Sequence, residues 1–181
     1  MTALRQKTTT MRFDVLTRNA LALFAALACT HVACDPVRND QIAALGDEVP
    51  GVEQGPEHRA GQPCLLCHDG KLTNAKEFSV GGTVFRRAVD REPVAGVLVH
   101  LLGADGSTHE ATTNGVGNFY VRPTEWVPVY PMRVSLEAEG MVVPMRTHVG
   151  RDGSCAGCHF DPPGPGSFGH VSLVNPFPDA G

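Results

Sequence analysis

Two short stretches of this chain carry the same pattern of chemistry-bearing residues: Cys64-Leu65-Leu66-Cys67-His68 and Cys155-Ala156-Gly157-Cys158-His159. In each, two thiols stand three residues apart and a histidine follows at once. This is the attachment pattern of c-type haem, in which the thiols form thioethers to the porphyrin and the histidine binds the iron from below. A covalent link holds such a group where no large pocket exists. Two other chemistries use the same cysteines. Four thiolates meeting at one point bind a single Zn²⁺, and two disulfides staple loops. Neither requires a histidine after both pairs, so His68 and His159 rank haem ahead of zinc and of disulfides.

A second iron ligand has three candidates. His58 lies six residues before Cys64, His148 seven before Cys155, and His170 falls on the last strand-like segment. Two histidines on one iron give a lower potential than histidine with methionine. His100 and His109 read as ordinary strand residues, and Met141 and Met145, by their alternation, as core. Taken together, the paired motifs resemble those of dihaem c-type cytochromes, with Cys64, Cys67 and His68 on one haem and Cys155, Cys158 and His159 on the other. The resemblance implies two covalent haem c groups, electron transfer as the function, and redox proteins as partners. A mitochondrial-type cytochrome c is excluded, because it needs several helices around its haem and this chain turns to strand patterns soon after His68.

The remaining two cysteines belong to an export address. Residues 1–18 hold Arg5, Lys7, Arg12 and Arg18 against Asp14, and the apolar run of residues 20–28 follows. That is the charged and apolar sequence of a secretory signal peptide, too short to span a bilayer. Small residues precede both Cys29 and Cys34, which resembles the lipobox of bacterial lipoproteins. Leu27 and His31 depart from it. Cleavage before Cys34 leaves every other remaining cysteine inside a CxxC pair, which favours Cys34 over Cys29 as the lipidated residue; a Cys29–Cys34 disulfide in a plainly secreted protein is the competing reading. The expected location is therefore outside the cytoplasm, in the periplasm or at the outer membrane or cell surface, held to a membrane by an N-terminal lipid.

Gly (20) and Pro (14) are abundant and aromatics reach only 6% of the 181 residues, a balance that favours short strands over a helical bundle. The net charge is −4, and without residues 1–28 it becomes −7, with 11 basic and 18 acidic residues remaining. No Lys/Arg run suggests a phosphate-binding surface, so nucleic acid is excluded as the main partner.

Residues 34–62 are polar and rich in turn formers, and they read as a flexible tether with one possible helical turn at Gln41–Leu45. From residue 79 onward, seven short runs separated by turn signals follow: 79–85, 96–102, 110–113, 118–122, 132–137, 141–148 and 170–174. Seven strands in under a hundred residues predict a mainly β sandwich or barrel. Val97, Val99 and Leu101 alternate with Leu98, His100 and Leu102, as in a central strand. The turns at Ala104-Asp105-Gly106-Ser107 and Asn114-Gly115 tolerate positive φ. Gly82-Thr83-Val84, Glu92-Pro93-Val94-Ala95-Gly96-Val97, and Thr113-Asn114-Gly115-Val116-Gly117-Asn118-Phe119 resemble the carboxypeptidase regulatory-like domain, a transthyretin-like β-sandwich. That likeness implies a fold and is not evidence of peptidase activity.

The expected organisation is a signal peptide at 1–33, a tether at 34–62, a seven-stranded immunoglobulin-like or transthyretin-like sandwich at 63–175 with loop-borne attachment motifs, and a tail at 176–181. One motif precedes the first strand and the other the last. In an immunoglobulin-like sandwich these places share an end, so both haems are expected at one pole. No Ser/His/Asp set or carboxylate pair points to bond-making catalysis, and the expectation is an electron carrier, not an enzyme. A redox enzyme would need an iron with an open sixth position. The reading from another class is a surface β-sandwich binding module stapled by a four-thiolate zinc site or by disulfides.

Overall fold

The computed structural model describes residues 35–48, 50–72, 74–160 and 163–174. The expected signal peptide, Cys29, Cys34 and the tail 176–181 lie outside them. The chain divides into two compact units, residues 1–40 and 41–181. Among the described residues no helix is long and apolar enough to cross a membrane.

Helix α1 covers Pro36–Ala44. Asp35 caps it by accepting a bond from Arg38 N at 3.1 Å, and Pro36 opens it at the position where a missing N–H costs nothing. The sequence suggested only one turn, at Gln41–Leu45; the cap and the proline move the start upstream. Helix α2 is the single turn Leu65–His68.

The rest is mainly β, in two sheets. Strands β1 (Val80–Phe85), β4 (Asn118–Val121) and β7 (Val171–Ser172) form a three-stranded sheet in the order β4-β1-β7. Strands β2 (Leu98–Leu102), β3 (Thr108–Thr112), β5 (Arg133–Ala138) and β6 (Met141–Pro144) form a four-stranded sheet in the order β3-β2-β5-β6. All seven lie where alternation and turn chemistry put them, with shifted ends. Most pairings are antiparallel, but β7 runs parallel to β1, with Val84 opposite Val171.

One core unites residues of both sheets: Val80 and Val84 from β1, Phe119 and Val121 from β4, Val99 and Leu101 from β2, and Leu136 from β5, joined by Val97 and Met132. Val97, Val99 and Leu101 are at most 1% exposed, as their alternation requires of the strand paired on both sides. Met141 departs from the expectation of a core methionine: it is 58% exposed on the edge strand β6, and Met132 fills the core in its place.

Strand β1 is buried at all six positions, so both of its faces are covered. Val80 and Val84 face the core. The opposite face is covered by residues that were expected to form a free tether. There Gly61 N donates to Thr83 Oγ1 at 2.8 Å, and Asn118 Nδ2 donates to the Pro56 and His58 carbonyls at 3.2 and 3.0 Å. Residues 55–62 are pinned to the sheet because a buried Asn and Thr need polar partners, and the backbone of this segment supplies them.

Turn chemistry accounts for the links. Asn114 Oδ1 accepts bonds from Val116 N and Asn118 N, and the positive φ falls on Gly117, three residues after Asn114, not on Gly115. Between β5 and β6, Glu139 and Gly140 both have positive φ, the conformation of a two-residue hairpin loop.

Candidate functional site

The two CxxCH motifs adopt the same local structure. In the first, Cys67 N and His68 N both donate to the Cys64 carbonyl, at 3.2 and 3.0 Å. In the second, Cys158 N and His159 N both donate to the Cys155 carbonyl, again at 3.2 and 3.0 Å. One tight helical turn thus brings the second cysteine and the histidine back over the first cysteine in both motifs. The four thiols of the motifs are free.

Each motif histidine is held in the same way. His68 Nδ1 donates to the Lys76 carbonyl at 2.6 Å, and His159 Nδ1 donates to the Gly169 carbonyl at 3.0 Å. With Nδ1 engaged, each ring presents Nε2 as its lone-pair nitrogen, the arrangement a metal-binding histidine needs. Each loop is closed by a further backbone bond, from Phe78 N to the His68 carbonyl and from Phe168 N to the Cys158 carbonyl. His159 is half-buried, and desolvation, helped by the neighbouring His170, lowers its pKa and favours the neutral ring.

Strand β1 gathers the two motifs. Its consecutive glycines, Gly81 and Gly82, present opposite faces. A Cβ on Gly81 would stand 3.1 Å from Cys64 Cβ, and one on Gly82 would stand 2.7 Å from Cys155 Cβ and 2.8 Å from its sulfur. The second motif is also tied to the strand by its backbone: Gly81 N donates to the Gly153 carbonyl at 3.0 Å, and Ser154 forms a parallel bridge with Gly81. Glycine inside a strand marks a place where something must come close, and here that is one cysteine on each face.

Desolvation, with a smaller contribution from a cysteine neighbour, pushes the Cys64 thiol up to about 11 and the Cys155 thiol up to about 12; the neighbour is Cys67 for Cys64 and Cys64 for Cys155. Such surroundings suit a neutral sulfur, thiol or thioether, and oppose a thiolate. Among the described residues no three His, Cys, Asp or Glu side chains gather as a metal-ligand set.

Of the candidate second ligands, two lie beside motif histidines. The His58 ring centroid is 5.7 Å from that of His68, with its Nδ1 turned to the Gly55 carbonyl. His170 is buried, stacks on Phe85 at 4.1 Å and is close enough to His159 to influence its titration. His148 is exposed in the segment after β6. His100 and His109, read as strand residues, lie on β2 and β3.

The donor set therefore fits a covalently held haem at each motif: a helical turn, a neutral sulfur environment, and an imidazole whose Nδ1 is engaged. Residue types and spacing revealed the cysteines and histidines. They did not reveal Gly81 and Gly82, although two adjacent glycines inside a strand pattern were a usable signal, or Phe78, whose role depends on contacts across the sheet.

No family model, curated protein or solved structure matches this chain.

Proposed function

We propose that this protein is an exported dihaem c-type cytochrome that carries electrons, built on an immunoglobulin-like, transthyretin-like sandwich and held to a membrane by a lipidated N-terminal cysteine. The observation that carries the reading is the repeated local geometry: two CxxCH turns, each with its histidine Nδ1 donating to a backbone carbonyl.

Haem bound at such motifs supplies one-electron transfer between ferric and ferrous iron. The chain's own groups do the rest. Cys64 and Cys67 hold one group, and Cys155 and Cys158 the other. His68 and His159 offer Nε2 as proximal ligands, and their carbonyl partners at Lys76 and Gly169 hold the tautomer. His58 and His170 are the proposed second ligands, since each lies beside a motif histidine. The two motifs meet consecutive residues of β1, on its two faces, and haems held by them would let the protein act as a relay between redox partners. The histidine that follows both cysteine pairs supports haem over a zinc site built from the four cysteines, which has no use for either imidazole.

The test is production of the full chain with a c-type maturation system. The expected product carries two haems that survive denaturation, with a mass increment to match, and a low-spin visible spectrum. Colourless protein containing one zinc ion per chain, or protein whose CxxC pairs are oxidised, would overturn the reading in favour of a stapled binding module.

A further inference from the structure

The backbone bond to His68 Nδ1 leaves one freedom: a ring held at a single nitrogen still turns about that bond. Phe78 removes it. Its ring stacks on the imidazole with centroids 4.3 Å apart and planes 18° apart. Phe78 is itself fixed on two sides, by its N–H to the His68 carbonyl at 2.7 Å and by Tyr120, stacked on it at 4.5 Å and 13°. Tyr120 lies on β4 directly opposite Gly81 of β1. Gly81 is also the residue against which Cys64 packs. The sulfur anchor and the imidazole plane of the first motif are thus referred to one register position of one strand pair.

Among the described residues the second motif has no such column. His159 and Phe168 are 6.0 Å apart and tilted by 45°, and Phe168 is 58% exposed. The sequence places a phenylalanine ten residues after His68 and nine after His159, so the difference arises from the contact that Phe78 makes with Tyr120 of β4, not from composition.

We propose that Phe78 and Tyr120 are positioning residues for His68: the column Tyr120–Phe78–His68 sets the plane of the first proximal imidazole and makes the two sites unequal. The functional consequence rests on the haem reading; the positioning itself does not. An axial imidazole turned to a fixed plane gives its iron a defined spectroscopic signature and potential, whereas a ring free to turn averages over them.

The experiment has two arms. In the full chain made without haem maturation, long-range ¹H–¹⁵N correlation reports the His68 tautomer and the ring-current displacement of its carbon-bound protons by Phe78. Phe78→Leu, which keeps apolar bulk without an aromatic face, is expected to abolish the displacement, and Phe78→Tyr to retain it. In the haem-loaded chain, Phe78→Leu is expected to move one of two low-spin EPR signals and one of two potentials, and Phe168→Leu to move neither by a comparable amount. Tyr120→Leu, one step removed, is expected to move the same signals as Phe78→Leu and by less. His68 signals unchanged from wild type in Phe78→Leu, or moved as far from their wild-type positions in Phe78→Tyr as in Phe78→Leu, would overturn the proposal. If no covalent haem is taken up, the haem reading fails while the unloaded arm still decides the positioning role.

Discussion

Gly82 carries a larger share of the second motif's geometry than its size suggests. Strand interiors disfavour glycine, yet any side chain here meets Cys155 on one side and the Phe119 ring at 3.2 Å on the other. Gly82→Ala is expected to destabilise the fold by about 1–3 kcal/mol, the cost of forcing an extra methyl into packed surroundings, and to lower haem attachment at Cys155 and Cys158 before it affects Cys64 and Cys67. Urea unfolding of the unloaded chain checks the first expectation, and haem-peptide mapping after proteolysis checks the second. Gly81→Ala, with its nearest contact at 3.1 Å, should cost less. At this scale the cysteines and motif histidines were legible in the sequence, because the proposed attachment chemistry is read from their spacing along the chain. The glycines were not, because what they admit arrives from distant positions, Cys64 on one face and Cys155 on the other.

Strands were legible as elements, since alternation of burial is a local property with a period of two. Pairing was less so. That β7 lies parallel to β1 is recorded by no local pattern, and residues 55–62 cover the outer face of β1 because Thr83 and Asn118 need polar partners there. The four-stranded sheet has a pH response of its own. His100 on β2 lies between Glu137 on β5 and Glu110 on β3, with Nε2 2.8 Å from one carboxylate and Nδ1 3.0 Å from the other. The bond to Glu137, with a smaller share from Glu110, raises the imidazole pKa above its ordinary 6.5. A raised folded-state pKa means that this clasp across three strands is fully present below the ordinary value and is lost as pH rises through the raised one. Thermal melts of the wild type minus those of His100→Gln are expected to show a positive difference at acid pH that shrinks at alkaline pH. A difference that grows with pH would contradict the assignment.

For the molecule as a whole, the charge beyond residue 28 is −7, so its surface field favours cationic partners. Stopped-flow oxidation of the reduced, haem-loaded protein by a small cationic oxidant is expected to slow as ionic strength rises, and oxidation by an anionic one to quicken, with the change levelling off as the screening length shrinks to about 10 Å. Equal salt dependence for both oxidants would show that the net charge does not steer encounter. The low aromatic content belongs to this scale too. The core is mostly aliphatic, and several of the few aromatic rings lie against histidines, among them Phe85 of β1 on His170, Trp126 on His109, and Phe78, backed by Tyr120, on His68.

The sequence by itself determined the two CxxCH motifs, the seven strand segments and the acidic balance, because each depends on residues a few positions apart or on a sum over the chain. Only the tertiary structure decided that both motifs close on Gly81 and Gly82, that His58 and His170 come to the motif histidines while His148 stays exposed, and that one imidazole is held in an aromatic column and the other is not. Those outcomes join positions tens of residues apart, and no periodicity along the chain records which side chain will face which across a pair of strands.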